Sequence, residues 1–274
     1  MNIKDLIFKI GNISFEETLE YIIKNALKKD SKKFIITINT EIVMQAKNDP
    51  KFQEVINSAD LLVNDSIGVK WARGLFGVSS KKRVHGSDLV EAVAKETSGK
   101  SITIGLLGAG EGIAKKTAEV LKERYPGLKV SFAVSEWPRK LDDGKLKIES
   151  GTLKMEDRRS IHSQSSTLKN PSSIIYPQSS KYMSTDILFI AFGSPKQEKW
   201  IYENLPKIHV KVAIGVGGAF DYISGRVRRA PVWVQNLGLE WLFRLIVQPW
   251  RIKRQVKLLE FVFLVIKEKI DELI

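Results

Sequence analysis

The sequence predicts an α/β protein: a Rossmann-like, doubly wound, mostly parallel sheet followed by a basic, amphipathic helical C-terminal appendage. Three observations carry this. Short apolar runs alternate with stretches of helical period along most of the 274 residues, which is the pattern of βα units in a parallel sheet. Three of those runs end in glycine-rich turns, at Gly105 to Gly112, Phe192 to Gln197 and Gly215 to Asp221. Finally, Arg226, Arg228, Arg229, Arg244, Arg251, Lys253, Arg254 and Lys257 face a single acid, Glu240, and are mixed with Trp233, Trp241, Phe243 and Trp250.

The first helix is marked by the spacing of Phe15, Leu19, Ile22, Ile23 and Ala26, with Ser14 and Glu17 placed as a capping box. Phe34 to Ile38 reads as a buried strand ending at Asn39-Thr40. A helix follows from Glu41 to Ala46, and Asp49-Pro50 restarts another through Ile56. Leu61-Leu62-Val63 is a short strand and Asn64-Asp65-Ser66 a polar turn; the next helix carries Ile67, Val69, Trp71 and Ala72. The basic loop Lys81 to Asp88 leads into a helix starting near Ser87. The run Ile102 to Ile104 enters the Gly105 to Gly112 turn, which opens a helix with Ile113, Thr117, Val120 and Leu121 on its apolar face. Ile187 to Ala191 and Val212 to Ile214 are further strands. From about 140 to 184 the chain is rich in Ser and Lys, holds Pro171 and Pro177 and keeps no period, so it reads as a long loop or disordered insertion, with His162 inside it. The expected organisation is an α/β core over 1–225 that includes this insertion, then a helical membrane-associating appendage over 226–274. Removing the chain from about Gly238 is expected to leave a folded sheet domain.

A hydrophobic content of 43% is ample for a core, and the absence of cysteine excludes disulfides and thiolate metal sites. Met1 to Ile10 is broken by Lys4, Asp5 and Lys9, unlike a secretory leader, so a cytoplasmic location is expected. A net charge of +13 favours anionic partners: nucleic acid, an anionic bilayer or phosphorylated metabolites. Basic residues and tryptophans on a helical period suit the membrane interface, although a solvated charged face gives the same pattern. The apolar run Leu258 to Ile266 is far short of the ~20 residues needed to span a bilayer. It suits dipping into one or covering a second subunit, which leaves a homo-oligomer open. His85, His162 and His209 lie far apart, and no glycine, aspartate or histidine cluster has metal-ligand spacing.

In an open α/β sheet, ligands sit beyond the carboxyl ends of the strands, where glycines let backbone amides approach an anion. Each glycine turn is equally explained by tight strand-to-helix geometry, but three on one chain point to one shared crevice. Asp65 ends a strand there and is either a catalytic base or the N-cap of the next helix. Thr37 and Asn39 either bind a sugar or phosphate or close a turn. Arg83, before a helix N-terminus, suits a diphosphate or belongs to a solvated charge run. Lys196 and Gln197 follow the same logic. Gly108-x-Gly110 is followed by Ile113 where the dinucleotide fingerprint has its third glycine, which weakens a hydride-transfer reading. The other rival is a non-catalytic binder of anionic lipid or nucleic acid.

Six blocks, in order, resemble the bacterial TagA/WecG/CpsF glycosyltransferase family: Ile36-Thr37-Ile38-Asn39-Thr40; Ala59 through Gly68 with Asn64-Asp65-Ser66; Arg83-Val84-His85-Gly86-Ser87-Asp88-Leu89; Gly193-Ser194-Pro195-Lys196-Gln197-Glu198-Lys199-Trp200; Gly215 through Asp221; and Arg229-Ala230-Pro231 through Trp241. The resemblance implies transfer of N-acetylmannosamine from a UDP donor to a polyprenyl-diphosphate-linked N-acetylglucosamine at the inner membrane face, as in wall teichoic acid linkage-unit synthesis. It implies inversion without a metal or other cofactor, and no nucleic-acid partner. Under it Asp65 is the general base and Arg83 stabilises the leaving UDP. Thr37, Asn39 and Gln197 match pocket positions, while Gly108, Gly110 and Asp221 shape the nucleotide site. Arg244, Arg251 and Arg254 fall in the basic appendage. The chain departs from the family at Ser66, often glycine there, and after Val130, where a Gly-Tyr-Phe-like turn is replaced by the Ser/Lys-rich run.

Overall fold

The computed structural model describes residues 2–136, 139–140, 146–147, 184–249 and 252–272. Most of the expected insertion, His162 and Arg251 lie outside the described residues. The strands are β1 (Lys33–Ile38), β2 (Leu61–Asn64), β3 (Thr103–Gly108), β4 (Lys129–Val134), β5 (Arg139–Lys140), β6 (Leu146–Lys147), β7 (Thr185–Ala191) and β8 (Val210–Gly215). β5 and β6 form a small antiparallel pair. The other six make one sheet in the order β2-β1-β8-β7-β3-β4, and every neighbouring pair is parallel. This is the doubly wound sheet that the sequence predicts. Strands covered on both faces have no polar face to show, which is why β1, β7 and β8 read as unbroken apolar runs.

One face of the sheet carries α1 (Ile3–Lys9), α3 (Thr40–Asn48), α4 (Pro50–Asn57), α5 (Ile67–Leu75), α8 (Lys196–Asn204) and α12 (Ile252–Asp271), packed through Leu6, Ile42, Phe52, Val69, Ile201 and Phe261. The opposite face carries α2 (Phe15–Ala26), α6 (Gly86–Thr97), α7 (Ile113–Arg124) and α9 (Ala219–Ile223), packed through Ile22, Leu89, Leu121 and Phe220. Two short helices, α10 (Val232–Asn236) and α11 (Glu240–Val247), lead from α9 towards α12. The local signals hold. The Ser14 hydroxyl accepts from the Glu17 amide at 3.1 Å while the Glu17 carboxylate accepts from the Ser14 amide at 2.7 Å. Asp49 caps α4, with Pro50 at its first position.

The two chain ends are stitched together. Phe261 and Val265 of α12 are fully buried in the first core cluster. The Glu268 carboxylate accepts from the amides of Ile3 at 3.0 Å and Lys4 at 2.9 Å, which satisfies two of the orphan donors at the start of α1. At the other end of α1, the buried Arg73 donates to the carbonyls of Ile7 and Ile10. Cutting the chain near Gly238 therefore strips residues out of the core, contrary to the expectation of a freestanding sheet domain. Among the described residues no helix is long and apolar enough to cross a membrane.

Candidate active site

The chain leaving β1 enters α3 on one face of the sheet, whereas the chain leaving the neighbouring strand β8 enters α9 on the other. A crevice must open at the carboxyl ends between them, and that switch point is where doubly wound sheets bind ligands. A cleft of about 350 Å³ lies there, walled by Thr37 and Asn39, by Asp65 and His85, by the turns Gly193-Ser194 and Gly217-Gly218, and by Tyr222 and Arg244. A second chamber of about 240 Å³ adjoins it, lined by Arg83, Ile67, Gly68, Gly238, Glu240, Trp241 and Leu258. Asn39, Glu41, Asp65, His85 and Arg244 line both chambers.

Asp65 stands at this partition. Its alternative role as helix cap is taken by Ser66, whose hydroxyl accepts from the Val69 amide at 3.2 Å. The Asp65 carboxylate instead lies 2.9 Å from His85 Nδ1, and the two side chains are 25% and 19% exposed. Burial pushes Asp65 above the usual carboxylate range, against the opposing pull of the His85 hydrogen bond and charge. Burial alone would lower His85; the hydrogen bond and negative charge of Asp65 outweigh it, so the imidazole is raised.

The two glycine turns are fastened to each other by Gln197, which is 2% exposed. Its carbonyl oxygen accepts from the amides of Gly193 at 3.2 Å and Gly217 at 3.0 Å, and its amide donates to Glu198 Oε1 at 2.8 Å. Gly215 leaves room for this side chain, because a Cβ there would sit 2.7 Å from Gln197 Nε2 and displace it. Thr37 donates to the Gly215 carbonyl at 2.9 Å, and Asn39 caps α3 through the Ile42 amide at 3.0 Å. Gln197, Thr37 and Asn39 thus shape the walls while still facing the cleft.

Gly108 and Gly110 end β3 at the same sheet edge but line neither chamber. Gly108 has φ +109° and backs onto Ala191, while Gly110 sits beneath the Arg226 guanidinium. Arg226 in turn lies 3.6 Å from Asp221, which does line the first chamber. Arg244 reaches in from α11 with its guanidinium 4.9 Å from the centre of the Tyr222 ring. Its Nε is buried without a hydrogen-bond partner among the described residues. Arg83 faces the second chamber and donates to the Gln235 carbonyl at 2.8 Å. Arg254 lies on α12, with its side chain outside the described residues.

His85, Glu41, Tyr222 and Glu240 are absent from the sequence-derived site. So is Arg229, which pairs with Asp88 of α6 and lies 3.6 Å from Glu240 of α11, fastening the appendage side of the second chamber to the sheet domain. The signal for His85 and Arg229 was present, since both stand inside motif blocks. Among the described residues no group of three or more His, Cys, Asp or Glu is placed to hold a metal ion.

A parallel doubly wound sheet with a polar two-chambered cleft at its switch point defines a Rossmann-like α/β protein whose ligand site is built from strand-end turns. The chain belongs to the Glycosyl transferase WecG/TagA/CpsF family, whose sequence profile matches residues 3–147 and 178–273. It is 29% identical over 258 residues to the N-acetylglucosaminyldiphosphoundecaprenol N-acetyl-beta-D-mannosaminyltransferase of Bacillus subtilis (strain 168), covering 94% of this chain and 88% of that relative. It is 28% identical over 236 residues to the enzyme of the same name from Bacillus spizizenii (strain ATCC 23059 / NRRL B-14472 / W23), covering 86% and 79%. The protein is a glycosyltransferase.

Proposed function

We propose that this glycosyltransferase moves N-acetylmannosamine from UDP-N-acetylmannosamine to N-acetylglucosamine carried on undecaprenyl diphosphate, with inversion and without a metal ion. It would act at the cytoplasmic membrane face in wall teichoic acid linkage-unit synthesis. The observation that carries the reading is the position of Asp65, a half-buried carboxylate on the one wall that two chambers share. The first chamber, polar and walled in part by the N-terminal turn of α6 at Gly86 and Ser87, suits a nucleotide diphosphate sugar. The second, with Trp241, Leu258 and Ile67 among its walls, suits a sugar that arrives on a lipid. The two Bacillus relatives bear the name of this reaction.

In the proposed step, Asp65 takes the proton of the acceptor hydroxyl as its oxygen attacks the anomeric carbon. The bond from that carbon to the donor diphosphate breaks, and its electron pair leaves with UDP. Arg244, whose guanidinium stands on the wall of the first chamber, offsets the charge that develops on the leaving diphosphate. Arg83 faces the second chamber, so we assign it to the acceptor's diphosphate rather than to the leaving UDP that the family resemblance implies. Arg83→Ala should then raise the KM for the lipid-linked acceptor at least tenfold and leave UDP affinity unchanged in calorimetry. A loss of UDP affinity instead would return Arg83 to the donor.

The reading as a whole is tested by UDP release from UDP-N-acetylmannosamine, with and without lipid-linked N-acetylglucosamine, in EDTA. Acceptor-dependent release is expected to survive EDTA, and in Asp65→Ala to fall by roughly the 10²–10⁴-fold that a general base supplies. Release abolished by EDTA would end the metal-free part of the proposal, and full activity in Asp65→Ala would end the assignment of the base.

A further inference from the structure

We infer that His85 is a positioning residue for Asp65, holding the carboxylate ionised and aimed during sugar transfer. This rests on the assignment of Asp65 as base. Three features of the geometry support it. His85 Nδ1 lies 2.9 Å from Asp65 Oδ1, so a ring protonated at Nδ1 donates to that oxygen and the acceptor's proton goes to Oδ2. The imidazole is free for this because His85, although the residue before α6, makes no side-chain cap with it. Moreover, the backbone keeps the pair together: Val84 N–H donates to the Asn64 carbonyl at 2.7 Å and Asp65 N–H to the Ile38 carbonyl at 2.8 Å, tying the His85 loop to the end of β2 and β2 to β1. Gly86 presses against the Val216 carbonyl, where a Cβ would stand at 3.1 Å, so the loop is fixed from the β8 side too.

The chemistry gives the contact a purpose. A buried carboxylate drifts towards its neutral form, and a neutral carboxyl accepts no proton. When both substrates are bound, two diphosphates flank Asp65 and push it further that way. The groups facing the pair are mixed in sign, with Arg83 and Arg244 against Glu41 and Glu240. A donor in direct contact with Oδ1, itself part of the wall that both chambers share, favours the ionised form. His85 acts through Asp65, so the dyad predicts coupling and not merely importance.

The test is a double-mutant cycle with a pH profile. His85→Ala should lower kcat by on the order of 10²-fold, the low end of what general-base catalysis contributes, with both KM values within about twofold. The acid limb of kcat/KM should move to higher pH as Asp65 loses its partner. His85→Asn, which keeps an N–H near the Nδ1 position, should recover most of the rate. In an Asp65→Asn background His85→Ala should cost nothing further. An equal loss in both backgrounds, or a change confined to KM, would overturn the inference. A readout independent of turnover uses the full chain with His162 and His209 replaced by Asn, leaving one imidazole for proton NMR. Its pKa should fall when Asp65 becomes Asn, and an unchanged pKa refutes the dyad. An Asp65→Asn enzyme as active as the wild type would instead sink the base assignment, while the NMR result would still report on the contact.

Discussion

Glu198, directly after Gln197, is fully buried, with Oε1 accepting from Gln197 and Oε2 lacking a hydrogen-bond partner among the described residues. Burial raises its pKa above the ordinary carboxylate value. The folded chain therefore binds this proton more tightly than the unfolded chain does. The stability it contributes is present at low pH and is lost as pH rises from the unfolded value, about 4.3, towards the raised folded one. Glu198→Gln should accordingly flatten the fall in thermal midpoint as pH rises above that unfolded value, relative to the wild type. Parallel curves for the two proteins would show that Glu198 ionises without penalty. At this scale the sequence was informative where a residue's place on a strand end decides its surroundings, as for Asp65, Thr37 and Gln197. It was silent where a partner decides them. The Asp65–His85 contact joins residues 20 apart through the Val84–Asn64 backbone bond, and no periodicity encodes such a bond.

Helix α12 shows the same division among elements. The apolar run Leu258 to Ile266 is plain in the sequence, but which side of it faces inward is not, because Phe261 with Val265 and Leu259 with Phe263 both satisfy helical spacing. The fold resolves this. Phe261 and Val265 are fully buried against α3 and α5, whereas Leu259 is 72% and Phe263 65% exposed. Helix α1 was missed for a related reason: Lys4, Asp5 and Lys9 interrupt the apolar run and set it apart from a leader, yet Ile3, Leu6 and Ile7 between them form a buried face. Phe261→Ala should destabilise the protein by about 3–5 kcal/mol, read as a lower urea midpoint at unchanged m-value, whereas Phe263→Ala should shift it by less than about 0.5 kcal/mol. Equal small effects from both would mean that α12 is not part of the core in solution.

For the whole molecule, most of the large apolar side chains left in solvent lie between Val232 and Ile270, a stretch whose sequence is also rich in basic residues. Of the large apolar side chains left in solvent, Trp233 of α10, Ile246 of α11 and Val256, Leu259 and Phe263 of α12 are each more than 60% exposed. Trp241 and Leu258, from α11 and α12, line the second chamber. A net charge of +13 adds long-range attraction to anionic lipid, worth about 1 kcal/mol for each basic residue near the surface. These features belong to one proposal: the appendage side rests on the membrane, so that a lipid-linked sugar enters the second chamber without leaving the bilayer. Ile246→Asp with Phe263→Asp places two charges on exposed positions without touching the core. That variant should lose flotation with phosphatidylglycerol vesicles and most of its rate on undecaprenyl-linked acceptor in those vesicles, yet keep the wild-type rate on a detergent-soluble short-chain acceptor. Raising salt should weaken wild-type flotation only in part, since Debye screening removes the lysine and arginine attraction but leaves apolar insertion untouched. Flotation of the variant equal to wild type would show that the exposed apolar face is not what meets the membrane, whereas an equal loss of rate on both acceptors would place the damage inside the chamber rather than at its entrance.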